Sequence, residues 1–200
     1  MLTAADAQAF ERCVADGGVA LFPADTVYGL ACDPESSAAV QRLYELKGRP
    51  ADKPAAVMFF ALDGALEALP ELGPRTRAAL GRLLPGGVTV LVPNPQRRFA
   101  LACGPEPETL GVRVPVSTAL RTVSRPVLQS SANRAGLADP ASIDAVVPEL
   151  RRGADLVLDG GQLPGVSSTV LDLREYEGAG RWLVLREGAV PARWLGEALG

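Results

Sequence analysis

Residues 154–188 read "ADLVLDGGQLPGVSSTVLDLREYEGAGRWLVLREG". Three runs of strand character, "ADLVLDGG" (154–161), "SSTVLDL" (167–173) and "RWLVLREG" (181–188), follow one another with no helix between them. A strictly parallel doubly wound sheet would place a helical crossover between successive strands. This stretch therefore predicts a mixed sheet with helices packed on it.

Upstream, strands and helices alternate loosely. Thr3 and Asp6 form a capping-box pattern ahead of Phe10, Cys13 and Val14, and Gly17-Gly18 stops that helix. "VALFP" (19–23) and "YGLACD" (28–33) read as strands. Ser36 or Ser37 opens a second helix with Val40, Leu43 and Tyr44 inward, and Gly48 and Pro50 end it. "AAVMFF" (55–60), "VTVLV" (88–92), "TLGVRVPV" (109–116) and "PVLQSSAN" (126–133) supply further strands. Helices are expected over 74–87, 142–153 and 191–199, with 93–108 as a Pro- and Gly-rich loop. The expected fold is a single α/β domain over 1–200, a twisted open sheet of parallel and antiparallel strands with helices packed on it.

The chain has no histidine, which removes Ser-His, Cys-His and His-zinc chemistry. Its three cysteines have no metal-ligand spacing and read as buried thiols in a reducing cytoplasm. No basic n-region opens the sequence and no run approaches a membrane span, so the protein is expected to be cytoplasmic. A net charge of −3 gives no global footprint for nucleic acid. A weak RNA contact would come only through the Arg pairs at 97–98 and 151–152, which read as solvated surface.

Four polar groups adjoin apolar elements, where open α/β sheets place their sites. "PADTVYGL" (23–30) offers Thr26 and Tyr28, on one side if the segment is extended. "KGRPADKP" (47–54) holds both lysines of a chain whose other eighteen cations are arginines. Lys47 falls in the last helical turn and Arg49 just past it, a pairing that suits either a polyphosphate or the helix dipole. On that placement both are expected to be exposed. "QSSANRAG" (129–136) sets Ser131 and Asn133 two apart as donors to one ligand or as an ordinary polar turn. The fourth group is the pair "GVSSTVLDL" (165–173) and "VLREGAV" (184–190): Arg186 there, like Arg113 in "GVRVPV", interrupts a strand expected to be buried, and each asks for an anionic partner, a protein carboxylate or a ligand. No Walker loop, dinucleotide fingerprint, nucleophile elbow or CxxC is present.

In order, "PADTVYGLACD", "LYELKGRPADKP", "LLPGGVTVLV", "GVRVP", "SSAN", "SSTVLDL" and "LREGAV" resemble the YrdC-like domain family, the threonylcarbamoyl-AMP synthases of tRNA modification. The resemblance spans about residues 7–190 and matches the short, single-domain form. The family's KxR…SxN tetrad reads Lys47, Arg49, Ser131 and Asn133. The resemblance implies condensation of L-threonine, bicarbonate and ATP to threonylcarbamoyl-AMP, with release of pyrophosphate. A partner complex would then modify the tRNA adenosine beside the anticodon. It further implies ATP on Lys47, Arg49, Ser131, Asn133 and Arg186, with Lys47 and Arg49 catalytic. Threonine would lie on Thr26, Tyr28, Arg113 and Ser168. Mg²⁺ would arrive with ATP, and no resident metal is expected. Some members carry a His where this chain has Met58 or Phe59. The alternative within the same family is a non-synthase paralogue that binds RNA or a nucleotide.

Overall fold

Ala20–Pro23 (β1) and Tyr28–Cys32 (β2) pair antiparallel, with Leu21 against Leu30 and Phe22 against Gly29. The computed structural model describes every residue except Met1, Ala51, Thr118 and Ala135, so Ala51 of "KGRPADKP" lies outside it. The remaining strands are Ala56–Met58 (β3), Val88–Pro93 (β4), Thr109–Arg113 (β5), Val127–Ser131 (β6), Leu156–Val157 (β7), Thr169–Asp172 (β8) and Leu183–Arg186 (β9). Among the described residues they form one sheet in the order β7-β1-β2-β6-β3-β5-β4-β8-β9. β1/β7, β3/β5 and β4/β8 are parallel and the other neighbours antiparallel, the mixed sheet expected.

Strand alternation divides the sheet into two unequal faces. One row runs Leu128, Val57, Val112, Val90 and Leu171 across five strands, all fully buried in the larger core. Helices Ser37–Lys47 (α2) and Pro74–Leu83 (α4) contribute Leu43, Leu80 and Leu83 to that core, and Ala192–Leu199 (α8) contributes Leu195. On the other face Ala20, Phe22, Ala31, Met58 and Phe60 join Phe10 and Val14 of Ala4–Ala15 (α1) in a smaller core. There Phe10 meets Phe22 and Phe60 at ring separations of 5.0 and 5.5 Å, favourable edge-type contacts. The next row on this face, Gln129, Ala56, Gly111 and Leu91, belongs to neither core. That uncovered row becomes the floor of the site.

Local signals hold where capping is explicit. Thr3 and Asp6 complete the capping box, and Ser36 caps α2 through Ala39 N–H at 3.3 Å. The helix expected over 142–153 is only Pro148–Gly153 (α6). Val147 is extended, as the residue before a proline prefers, and Pro148 occupies the first turn. Leu62–Ala68 (α3) and Tyr176–Ala179 (α7) carry no side-chain cap, and nothing in their sequence announced them. The loop 93–108 contains a helical turn, Ala100–Cys103 (α5). Asn94, 1% exposed, holds that loop by donating to the carbonyls of Arg98 and Pro107, each at 2.9 Å. No helix among the described residues is long and apolar enough to cross a membrane. Each Arg of the 97–98 and 151–152 pairs faces a carboxylate: Glu108, Glu71, Asp144 and Glu149 respectively. Neither pair forms an open cationic patch.

Candidate active site

The site assembles where α2 ends beside the end of β6. Gly48 takes a left-handed φ of +59° that stops the helix, and Lys47 in the last turn reaches into the sheet. Its ammonium donates to the carbonyls of Ser131 and Asn133, the latter at 2.9 Å, and to Asn133 Oδ1 at 3.1 Å. Lys47 is only 2% exposed, so the expectation of an exposed cation at a helix end is corrected. Burial, helped by the neighbouring Arg49 charge, pulls its pKa down to about 8, while Asp139 pushes the other way. Ser131 Oγ lies 2.6 Å from Asn133 Oδ1, so that oxygen gathers both groups.

Arg49 is half-buried, again less open than expected. It donates to Ser130 Oγ at 3.1 Å and to the Pro54 carbonyl, and its guanidinium lies 5.7 Å from the Tyr44 ring centre. Its Nε is buried with no hydrogen-bond partner among the described residues. Burial lowers the pKa of this guanidinium too. Lys53 is exposed and does not line the site cavity.

Arg113, 3% exposed, does have its anionic partner within the protein: Nη2 meets the Asp25 carboxylate, the Thr26 hydroxyl at 2.7 Å and the Ala24 carbonyl at 3.2 Å. Asp25 sits at φ +81° in the turn joining β1 to β2, where its other oxygen accepts from Val116 N–H at 3.0 Å. Burial raises the Asp25 pKa against the pull of Arg113. Arg113 Nε is buried and has no hydrogen-bond partner among the described residues. Thr26 and Tyr28 therefore do not present one extended edge. Tyr28 is fully buried in the larger core, and its hydroxyl lies 2.9 Å from both Asp159 Oδ1 and the Gly161 carbonyl. Burial, then Asp159, pushes that hydroxyl up to about 12.

Arg186 was expected in a buried strand; it is exposed, because β9 is the outer edge of the sheet and Leu183 and Leu185 are exposed with it. Its guanidinium is tied to the Ser168 carbonyl at 2.7 Å, and Ser168 Oγ pairs with Thr89 Oγ1 at 2.8 Å.

Arg49, Arg113, Ser131, Ser168 and Arg186 line one cavity of about 300 Å³, with Gln129, Ala56, Gly111 and Leu91 on its floor. Lys47 and Asn133 are joined to Ser131 without lining the hollow, Thr26 reaches it through Arg113, and Tyr28 does not belong to it. Ala56 and Gly111 leave the floor open, since larger side chains would fill the space. Thr89, Asp139 and Ser167 also line it and were not read from the sequence. Thr89 left a trace, as the polar residue within the apolar run "VTVLV". Asp139, next to Pro140 in a turn-like segment, left none. Of the two residues that could stand at the site of the missing His, Met58 is fully buried beside Arg113 in register and Phe59 is buried next to it, and neither brings a polar group. Converging cations with neither histidine nor a carboxylate cluster suit binding and charge neutralisation of an oxyanion.

The Sua5/YciO/YrdC family model, described as "Telomere recombination", matches residues 12–188. The chain belongs to the Sua5/YciO/YrdC family. It is 32% identical over 193 residues to the threonylcarbamoyl-AMP synthase of Pyrococcus abyssi, covering 94% of this chain and 55% of that protein. With the synthase of Bacillus subtilis it shares 31% identity over 159 residues, 76% of this chain and 46% of that one. The chain thus spans about half the length of these curated relatives. Its fold matches the crystal structure of P. abyssi Sua5 complexed with L-threonine at a TM-score of 0.84 and 28% identity, over all of this chain and 59% of that one. The fold also matches Escherichia coli YciO at a TM-score of 0.78, with 23% identity over 96% of this chain and 93% of that one.

Proposed function

We propose that this Sua5/YciO/YrdC chain is a threonylcarbamoyl-AMP synthase acting as a single domain over residues 1–200. The observation that carries the reading is the knot of Lys47, Ser131 and Asn133 beside a cavity walled by Arg49, Arg113 and Arg186. The name of the P. abyssi relative and the threonine in the Sua5 crystal structure support it.

ATP lies with its phosphates toward Arg49, Arg186 and Ser131, and Lys47 and Asn133 hold the turn behind them. Threonine takes the end bounded by Ser168 and Arg113, with its carboxylate toward the Arg113 guanidinium that Thr26 helps to hold. Tyr28 acts by fixing the turn at 159–161. The threonine ammonium releases a proton to solvent, the free amine attacks the bicarbonate carbon, and water leaves. The carbamate oxygen then attacks the α-phosphorus, and the bond to pyrophosphate breaks. Such a transfer requires positioning and charge neutralisation more than a protein base, which fits a chain without histidine. Mg²⁺ enters as part of the nucleotide substrate. The adenylate passes to a cytoplasmic complex that modifies tRNA.

The test is pyrophosphate release from MgATP and bicarbonate with L-threonine added or withheld. Threonine-dependent release that is lost in Arg49→Ala is expected. No release with any amino acid would overturn the reading and favour the non-synthase alternative.

A further inference from the structure

Among the described residues a single carboxylate lines a cavity otherwise walled by cations and neutral groups. Asp139 faces the hollow shared by Arg49, Arg113 and Arg186, and although the Lys47 ammonium feels its charge, among the described residues no lysine or arginine lies within ion-pair distance of it. Its described hydrogen-bond partner is the Ser167 hydroxyl. A half-buried carboxylate with one neutral donor keeps most of its acceptor capacity and is stabilised by an incoming cation.

The ligands of the proposed reaction are mostly anionic. ATP and bicarbonate would each be repelled by Asp139. The amino acid brings a cation of its own, its α-ammonium, whereas the Mg²⁺ of the nucleotide is held by its phosphates. Asp139 is also tied through Ser167 to the segment carrying Ser168, which contacts Thr89. That is the threonine end of the cavity under the synthase reading.

We infer that Asp139 receives the α-ammonium of the amino-acid substrate, and so selects amino acids over carboxylic and hydroxy acids of the same shape. The inference rests on the proposed synthase reading. It adds the recognition element for the amine, which would complement Arg113 at the carboxylate. A charge-assisted hydrogen bond in a partly dry site corresponds to about 10–100-fold in affinity.

Calorimetric titration without nucleotide or Mg²⁺ tests it, using L-threonine and the analogue in which a hydroxyl replaces the amine. Wild type should prefer threonine. Asp139→Asn, which keeps the shape and can still accept from Ser167, should bind threonine about 10–100-fold more weakly and bind the analogue unchanged. Ser167→Ala, which keeps the carboxylate, should retain the preference for threonine. Equal losses for both ligands in Asp139→Asn would assign the residue a structural role and overturn the inference. So would an unchanged threonine affinity beside a weakened affinity for MgATP, since the carboxylate would then serve the nucleotide's cation. If wild type turns over threonine and Asp139→Asn keeps its full threonine affinity, the inference alone falls. If wild type neither binds threonine nor releases pyrophosphate with it, the synthase reading falls as well.

Discussion

The ammonium of Lys47 donates to both oxygens of Asn133, the backbone carbonyl at 2.9 Å and Oδ1 at 3.1 Å, while also meeting the Ser131 carbonyl. Three acceptors use all three of its N–H donors. Lys47 therefore supplies its charge from behind the turn and holds that turn in place. Lys47→Ala would leave these acceptors without their partner, two of them backbone carbonyls. It is expected to destabilise the fold by about 1–3 kcal/mol, read as a lowered Tm, as well as to lose activity. Arg49→Ala, at a half-buried position, should lose activity with a smaller change in Tm. Equal Tm values for wild type and Lys47→Ala would show that the knot contributes nothing to folding.

The lowered pKa of Lys47 has a signature in pH. Burial sets it at about 8 in the native protein, below its ordinary 10.5. From about 8 to 10.5 an unfolded chain keeps a proton that the native chain has released, so this group makes stability rise with pH in that window. Nucleotide binding has the opposite slope, because phosphates favour the charged form. ATP affinity should be flat below about pH 7.5 and should weaken as pH rises through about 8. That decline should be absent in Lys47→Met, and a flat wild-type profile to pH 9.5 would rule out an ammonium of this pKa.

Arg113 and Asp25 form a nearly dry ion pair, with side chains 4% and 9% exposed. Removing one member of such a pair leaves a buried charge without compensation. Asp25→Ala is expected to cost about 3–5 kcal/mol, measured by chemical denaturation. The double variant Asp25→Ala/Arg113→Met should recover part of that stability while remaining inactive. If Asp25→Ala is as stable as wild type, the pair has no structural role.

Thr169 is fully buried, and its hydroxyl ties down the "REGAV" segment. It donates to the Val190 carbonyl at 2.6 Å and accepts from Gly188 N–H at 2.9 Å and Val190 N–H at 3.0 Å. Thr169→Val keeps the shape and loses all three bonds. A loss of about 1–3 kcal/mol is expected, with faster hydrogen exchange at 188–190 and weaker ATP binding through a loosened Arg186. Unchanged exchange there would dissociate Thr169 from this segment.

Much of the fold was legible because its signals are short-range. The capping box at Thr3, the serine cap of α2 and the Gly48 stop each depend on neighbours within a few residues, and each holds in the structure. Apolar runs marked nearly every strand. The start of the helix at Pro148 rather than 142 was missed although the proline marks it locally, and α3 was missed because no capping side chain announces it.

By itself the sequence determined the mixed α/β class, the family, and the positions of Lys47 in a last helical turn and of Ser131 and Asn133 after a strand. It did not determine which side chains are buried. That Lys47 is dry, that Arg113 is matched by Asp25, that Tyr28 turns into the core and that Arg186 stands on an open edge all depend on the strand order. So does the place of Asp139 in the cavity. These relationships join residues far apart in the chain, such as Arg113 with Asp25 and Lys47 with Ser131. Local propensity acts over a few residues and is blind to such pairs. Only assembling the open sheet, nine strands among the described residues, brings them together, and only then do burial and unpaired charge give the residues their chemistry.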